Sequence, residues 1–210
     1  ALTINEPTIT FTPAPMSREL NTAMRNLDRY QWIAFMSVNA VEFFFYHLKA
    51  LSLDSRKLSG AKICCVGSET DKCLETYGLL SDLTPKYFGA KHLKKALKEK
   101  LVPGDRVLIP RTNIAPADFS KELEIIDATV EQPITYQTEI PKGSRQLLRT
   151  TLENSAIDVI TFTSSSTVRN VVTLVGNQKK LLDSAIIASI GPITSATARD
   201  LGLKVHIEAV

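Results

Sequence analysis

The sequence is poor in the residues from which several classes of site are built: 210 residues include only three cysteines, three histidines and one tryptophan. Three cysteines cannot make the disulfide framework of a small secreted domain. The adjacent Cys64 and Cys65 lie in the apolar run Lys62-Ile-Cys-Cys-Val66, where strand alternation sends them to opposite sides. They read as core residues. His47, His92 and His206 are far apart, and none keeps a metal-ligand spacing with a cysteine or a second histidine, so no metal site is expected. No apolar stretch approaches the roughly 18 uninterrupted residues of a membrane span. Nor does a basic segment lead into an apolar one as in a signal peptide, so the expectation is a cytoplasmic protein without a membrane partner. The G-x-S-x-G elbow, the G-x-x-x-x-G-K-S/T loop and G-x-G-x-x-G are all missing, as is any carboxylate pair that spacing alone would bring together. The chemistry left open needs binding, folding of the substrate and modest acid assistance.

What is present is 44% hydrophobic and 22% charged, enough for one generous core or two modest ones. A net charge of +3 with scattered Lys and Arg does not make a nucleic-acid surface, although it suits an anionic small molecule. The one basic run, Lys91 to Lys100, alternates with Leu93, Leu97 and Leu101 at helical spacing, which is the wet face of an amphipathic helix.

The organising feature is a repeat. Ile160 to Val168 reads I-T-F-T-S-S-S-T-V, an apolar run that stops in small hydroxyl residues and resumes at helical spacing. Ile33 to Val41, I-A-F-M-S-V-N-A-V, has the same design. Ser37 and Ser164 are 127 positions apart; Val66-Gly-Ser-Glu-Thr70 and Ile190-Gly-Pro-Ile-Thr194 are offset by 124, as are Gly78 and Gly202. Two similar halves follow.

Read in order, periodicity and breakers predict a short strand at Thr8–Phe11, a helix at Ser17–Asp28, a strand at Gln31–Met36 and a helix at Asn39–Leu51 with an aromatic-rich core face. Next come a strand at Lys62–Val66, a helix at Ser68–Tyr77 opened by Ser68 with Asp71 and closed by Gly78, and a short strand near Leu83. A helix at Lys91–Leu101, a Pro103-Gly104 turn, a strand at Arg106–Ile109 and a helix near Pro116–Ile126 follow. Thr129–Thr138 is extended with Pro133 in its middle, marking the exit from one domain. The second half repeats the programme with helices at Ser144–Glu153, Thr167–Val175 and Thr194–Leu201 and strands at Ile157–Thr163, Ala185–Ile190 and Lys204–Ile207. Strand and helix alternate throughout, as in α/β proteins whose parallel sheets are covered by helices on both faces.

A strand that ends in small hydroxyl residues and runs into a helix leaves backbone N–H groups and hydroxyls facing the carboxyl edge of the sheet, where anions bind. Ser37 and Asn39 in the first half, and Ser164, Ser165 and Ser166 in the second, would present such groups. Gly67 and Gly191 do so one strand over, where glycine lets a ligand approach the backbone and Thr70 and Thr194 cap or donate. Two such edges across a cleft would hold a large, multiply charged molecule. Any one of these residues alone is better explained as an ordinary N-cap; the matched offsets are what lift the set above that reading.

These segments resemble the uroporphyrinogen-III synthase family: Phe35-Met-Ser-Val-Asn-Ala-Val41, Val66-Gly-Ser-Glu-Thr70, Val107-Leu-Ile-Pro-Arg111, Thr135-Tyr-Gln-Thr138, Ile157-Asp-Val-Ile-Thr-Phe-Thr-Ser-Ser-Ser166 and Ile190-Gly-Pro-Ile-Thr194. Each is loose alone; together they stand in the family's order and spacing over nearly the whole chain. The resemblance implies two similar α/β domains joined by a two-stranded antiparallel linker, with 1–7 and 142–210 forming one domain, 8–12 and 133–141 the linker and 13–132 the inserted domain. It implies a monomer that converts hydroxymethylbilane, a linear tetrapyrrole with eight carboxylates, into uroporphyrinogen III in tetrapyrrole and heme biosynthesis, with no metal or organic cofactor. Water leaves the hydroxymethyl group of ring A, the azafulvene attacks ring D at its substituted carbon, and the spiro intermediate recloses with ring D inverted.

The family's tyrosine falls on Tyr136, which is expected to assist that departure as a proton or hydrogen-bond donor. A buried tyrosine with a satisfied hydroxyl is the competing reading. Ser37, Thr70, Ser164 and Thr194 match positions near the ligand. Arg111 is expected to pair with a carboxylate, of the substrate or of the protein surface. Met36 stands where many members have threonine, and the family's opening strand with its arginine and its last helix have no counterpart between residues 1 and 210.

Two other functions fit the same letters. A non-catalytic two-domain binding protein for an anionic small molecule needs the same hydroxyl-rich helix starts. An interaction module could use the aromatic run Phe43–Tyr46, which in a covered sheet is more readily core.

Overall fold

A computed structural model describes residues 2–115, 127–154 and 157–209. The expected helix near Pro116–Ile126 lies outside the described residues. The chain forms two compact units, one of residues 1–10 with 139–210 and one of residues 11–138.

The unit of residues 11–138 is built on parallel strands β2 (Trp32–Phe35), β3 (Lys62–Cys65), β4 (Arg106–Leu108) and β6 (Thr129–Glu131), in the order β3-β2-β4-β6. Leu83 adds a parallel bridge to Cys64 on the outer side of β3. Period-two alternation splits the strand residues between two cores. Ile33, Phe35 and Cys65 pack with Leu20, Met24, Val41, Phe44, Leu48 and Leu74 of helices α1 (Arg18–Arg25), α2 (Val38–Ala50) and α3 (Ser68–Glu75). Trp32, Ala34 and Cys64 pack with Leu93 and Leu97 of α4 (Ala90–Lys98). Both faces of this sheet are therefore covered, and the adjacent cysteines do point to opposite sides.

Strands β1 (Thr10–Pro13), β5 (Arg111–Thr112) and β7 (Ile134–Glu139) form a further sheet in the order β1-β7-β5, so the extended segment after Thr129 breaks at Gln132-Pro133 into two strands. β5, a two-residue strand that periodicity could not reveal, pairs parallel with β7, with a register shift between Arg111 and Thr112.

The other unit has a parallel sheet in the order β10-β9-β8, from β8 (Val159–Phe162), β9 (Ile186–Ser189) and β10 (Ile207–Glu208). Helices α5 (Ser144–Asn154), α6 (Ser165–Val175) and α7 (Pro192–Asp200) supply Leu148, Val168, Val171, Leu174 and Ala198 to one core with Phe162 and Ile187. Among the described residues only that face is covered; Val159, Ile186 and Ile207 on the other remain exposed. The Arg145 and Arg149 guanidiniums donate to the Thr173 and Val175 carbonyls at 3.3 and 3.1 Å, placing positive charge on the carboxyl end of α6.

The sequence repeat is a backbone repeat. Gly78 and Gly202 follow α3 and α7 with φ of +74° and +81°, the left-handed region that favours glycine. The next residues, Leu79 and Leu203, donate to the Leu74 and Ala198 carbonyls at 3.2 and 2.9 Å and tuck into their own cores. This is one C-terminal motif used twice.

Candidate functional site

In the unit of residues 11–138 the chain leaves β2 toward β3 on one side and later returns to β4 on the other. Open α/β sheets take their ligands outside the carboxyl ends of the strands at such a reversal, here at the end of β2. Two residues beyond β2, Ser37 is extended (φ −170°, ψ 163°) and caps α2. Its Oγ accepts the Ala40 N–H at 3.1 Å and shares a second hydrogen bond, also 3.1 Å, with the Tyr136 hydroxyl. The two residues are 99 positions apart. Tyr136 belongs to β7, is 6% exposed, stacks on Phe43 with centroids 5.2 Å apart and 10° between planes, and meets Phe11 edge-on at 6.0 Å. Helix α2 thus contacts both the hydroxyl and the ring of the tyrosine. Asn39, in the first turn of α2, is half-buried, and its amide makes no hydrogen bond among the described residues.

One strand over, Gly67 caps α3 in an extended conformation that any residue adopts (φ 173°). Its neighbour is the ring of Phe88, which a Cβ at this position would push aside. An aromatic ring, itself 72% exposed, therefore occupies the approach expected for a ligand. Two expectations are corrected at this turn. Ser68 is the first helical residue rather than the cap, and buried Thr70 does not cap through its hydroxyl; its backbone N–H donates to the Gly67 carbonyl at 3.1 Å.

Arg111 is held by main-chain oxygens rather than by a carboxylate of the protein surface. Its Nε and Nη1 donate to the main-chain carbonyls of Gln132 and Ala115 at 3.0 and 2.9 Å, and no carboxylate pairs with it among the described residues. A guanidinium presents five donors in a rigid fork, and here it fastens the segment beside β5.

In the other unit, Ser164 caps α6 with nearly the dihedrals of Ser37 (φ −163°, ψ 158°), accepting the Thr167 N–H at 3.3 Å and hydrogen-bonding the exposed Ser166 hydroxyl at 2.9 Å. Gly191 caps α7 as Gly67 caps α3, with Pro192 at the first position, and a Cβ there would meet nothing within 4 Å. Thr194 is buried and makes no side-chain cap. Ser165 is placed at the edge, but its hydroxyl donates to the Ile193 carbonyl at 3.3 Å and accepts from Thr197 at 2.8 Å. It joins α6 to α7, which leaves its backbone N–H as the group facing the edge.

A family model described as uroporphyrinogen-III synthase HemD matches residues 1–210. The chain belongs to the uroporphyrinogen-III synthase family. It is 31% identical over 202 residues to the porphyrin biosynthesis protein HemD of Ruminiclostridium josui, an alignment covering 96% of this chain and 40% of that protein. It is 29% identical over 184 residues to a uroporphyrinogen-III synthase of Chlorobaculum parvum, covering 87% of this chain and 74% of that one. The chain thus spans less than half of the first relative and about three quarters of the second. A uroporphyrinogen-III synthetase from Helicobacter pylori superposes with a TM-score of 0.64 at 17% identity, over 95% of this chain and 83% of that one, a likeness of fold. Among the described residues no helix is long and apolar enough to cross a membrane.

In this uroporphyrinogen-III synthase family member, two residues beside the assigned ones had no motif to announce them. Phe88 lies 21 positions from the glycine it covers, and His47 reads from the sequence as a lone histidine on a helix.

Proposed function

We propose that this chain cyclises hydroxymethylbilane to uroporphyrinogen III, losing water and inverting ring D. The observation that carries the proposal is the hydrogen bond between Tyr136 and Ser37 at the positive end of α2, beside the point where the strand order reverses. Heterolysis of the C–O bond on ring A leaves an azafulvene cation and hydroxide, a poor leaving group unless it takes up a proton as it departs. The Tyr136 hydroxyl supplies that proton, so that water leaves, and the Ser37 Oγ–H and the first-turn N–H groups of α2 stabilise the phenolate. After attack at the substituted carbon of ring D, fragmentation and reclosure, the proton lost from the ring carbon restores the phenol.

The other assigned residues bind. Gly191 and Ser165 offer backbone N–H groups, Gly67 offers one beside the Phe88 ring, Asn39 offers a side-chain donor at a helix start, Ser164 orders the first turn of α6 as its cap, and Thr70 and Thr194 shape the first turns beside the glycines. Each suits a carboxylate at its own edge.

Incubating the chain with enzymatically generated hydroxymethylbilane, then oxidising and separating the type I and type III porphyrins, tests the proposal. A dominant type III product is expected. Type I alone, with measurable binding of the bilane, would replace the enzyme by an anion-binding protein of the same fold.

A further inference from the structure

Strand β7 is the middle strand of its sheet. Its ladder to β5 pairs Ile134 with Arg111 and Tyr136 with Thr112, and Thr135 lies between them at the register shift. The Thr135 carbonyl therefore faces away from β5, toward the end of β1. The Thr135 carbonyl accepts the Ala14 N–H at 3.1 Å and the Nε2–H of His47 at 2.7 Å. Because a carbonyl oxygen only accepts, the proton of the imidazole is on Nε2. Thr135 is fully buried and His47 is 2% exposed, so no water replaces the imidazole. On the other side of Tyr136, its own carbonyl accepts the Asn113 N–H at 3.2 Å. The peptide groups flanking Tyr136 are both fixed, one of them by a side chain.

That side chain belongs to α2, the helix whose cap bonds the Tyr136 hydroxyl and whose Phe43, four residues before His47, stacks on the Tyr136 ring. Phe43 and His47 share a helix face by spacing. One rigid element therefore grips the tyrosine at hydroxyl, ring and preceding peptide, and the peptide contact sets where along the strand the other two can form. We infer that His47 is a positioning residue for the reaction: through the Thr135 carbonyl it holds the Tyr136 hydroxyl in hydrogen-bonding register with Ser37. The inference rests on the proposed role of Tyr136 and adds a residue that touches no substrate.

The test is a double-mutant cycle on the full chain, reading kcat, KM and the type III to type I ratio. Displacing a catalytic group by about 1 Å costs up to roughly 100-fold, so His47→Leu is expected to lower kcat by roughly 10- to 100-fold with little change in KM, and to raise the type I share. His47→Gln, whose amide N–H can take the place of Nε2–H, restores most of the rate. In a Tyr136→Phe background His47→Leu has almost no further effect, because the hydroxyl it positions is gone. His47→Asn, polar but too short to reach the carbonyl, serves the same comparison if His47→Leu does not fold. An equal loss in both backgrounds, or a Gln variant no better than Leu or Asn, overturns the positioning role while leaving Tyr136 in place. A Tyr136→Phe single variant with full turnover removes the role of Tyr136 and this inference with it.

Discussion

Ser37 and Ser164 are the same residue in the same backbone position of two repeats, which makes them controls for each other. Replacing either by alanine removes an N-cap, the bond from Ala40 at 3.1 Å or from Thr167 at 3.3 Å. Loss of a serine cap costs about 1 kcal/mol, within a range of about 0.5 to 2. Ser37→Ala also strips the Tyr136 hydroxyl of its partner, adding about 0.5 to 1.5 kcal/mol. We therefore expect Ser37→Ala to be the more destabilising by about 1 kcal/mol in thermal or urea unfolding. Kinetically the two should part further. Without Ser37 the departing water meets an unoriented phenol whose conjugate base has lost a donor, and a charge-assisted hydrogen bond of about 1.5 to 3 kcal/mol corresponds to roughly a 10- to 100-fold fall in kcat. Without Ser164 the first-turn N–H groups of α6 lose the cap that orders them for a carboxylate, which raises KM and leaves the type III share of product intact. Measuring kcat, KM and isomer ratio for both variants decides the matter. If they shift the same parameter by the same factor, Ser37 is an N-cap and nothing more, and the pairing with Tyr136 has no part in the chemistry.

Tyr136→Phe keeps the stack on Phe43 and deletes one hydrogen bond, so it should lower type III formation by roughly 100-fold or more at a stability cost of about 1 kcal/mol; circular dichroism and product analysis check both. Burial lowers the pKa of His47 below its ordinary 6.5, an effect only partly opposed by its bond to Thr135. Its neutral form is therefore favoured in the folded state. That stabilisation is complete above 6.5 and fades as pH falls below it, because the unfolded chain takes up the proton first. His47→Gln should remove this part of the pH dependence from urea titrations between pH 5 and 7, and an unchanged profile would refute it. Gly78→Ala and Gly202→Ala force a Cβ into left-handed backbone at matched sites and should each cost about 1 kcal/mol, with no change in isomer ratio. Glu131 accepts from Arg29, Tyr30 and Arg106. With its side chain about one fifth exposed, Glu131→Ala should destabilise by about 2 kcal/mol, read as a loss of thermal stability.

The repeat was legible because it lives in residues whose backbone demands are strict. Glycines at +74° and +81°, and serines that end a strand and cap a helix, leave marks that survive when most other letters change. The two faces of the first sheet were legible in Cys64 and Cys65 for the same reason, since period-two alternation is local. What escaped is what depends on distant partners. No rule of spacing links Ser37 to Tyr136 across 99 residues, aims the Arg111 fork at two carbonyls, or lays Phe88 over Gly67. β5 is two residues long, too short for any period, and the third strand beside β1 and β7 went unseen for that reason. Ser68 with Asp71 spells a capping box in letters, but β3 stops at Cys65 and the helix begins one residue early, so Gly67 makes the turn.

The two halves also show how a duplicated frame acquires unequal duties. Their caps agree in dihedral angle to within about ten degrees, so the same first-turn N–H groups are offered at each edge. The difference is where the hydroxyls are spent. Ser164 bonds Ser166, and Ser165 is tied to Thr197 and Ile193, so the second edge satisfies its side chains locally and presents mainly backbone N–H groups and one exposed serine, a surface that binds. Ser37 instead reaches a phenol on a different strand, held by stacking and by a buried histidine, and a phenol can give up a proton where a serine at neutral pH does not. Binding needed only the frame and so could be duplicated with it; acid assistance needed one residue from outside the repeated segment, and β7 supplies it once. Grafting a tyrosine opposite Ser164 should therefore give no second catalytic edge, since nothing there corresponds to the His47 contact that fixes the strand. A measurable gain in type III turnover from such a variant would show that the hydroxyl alone suffices.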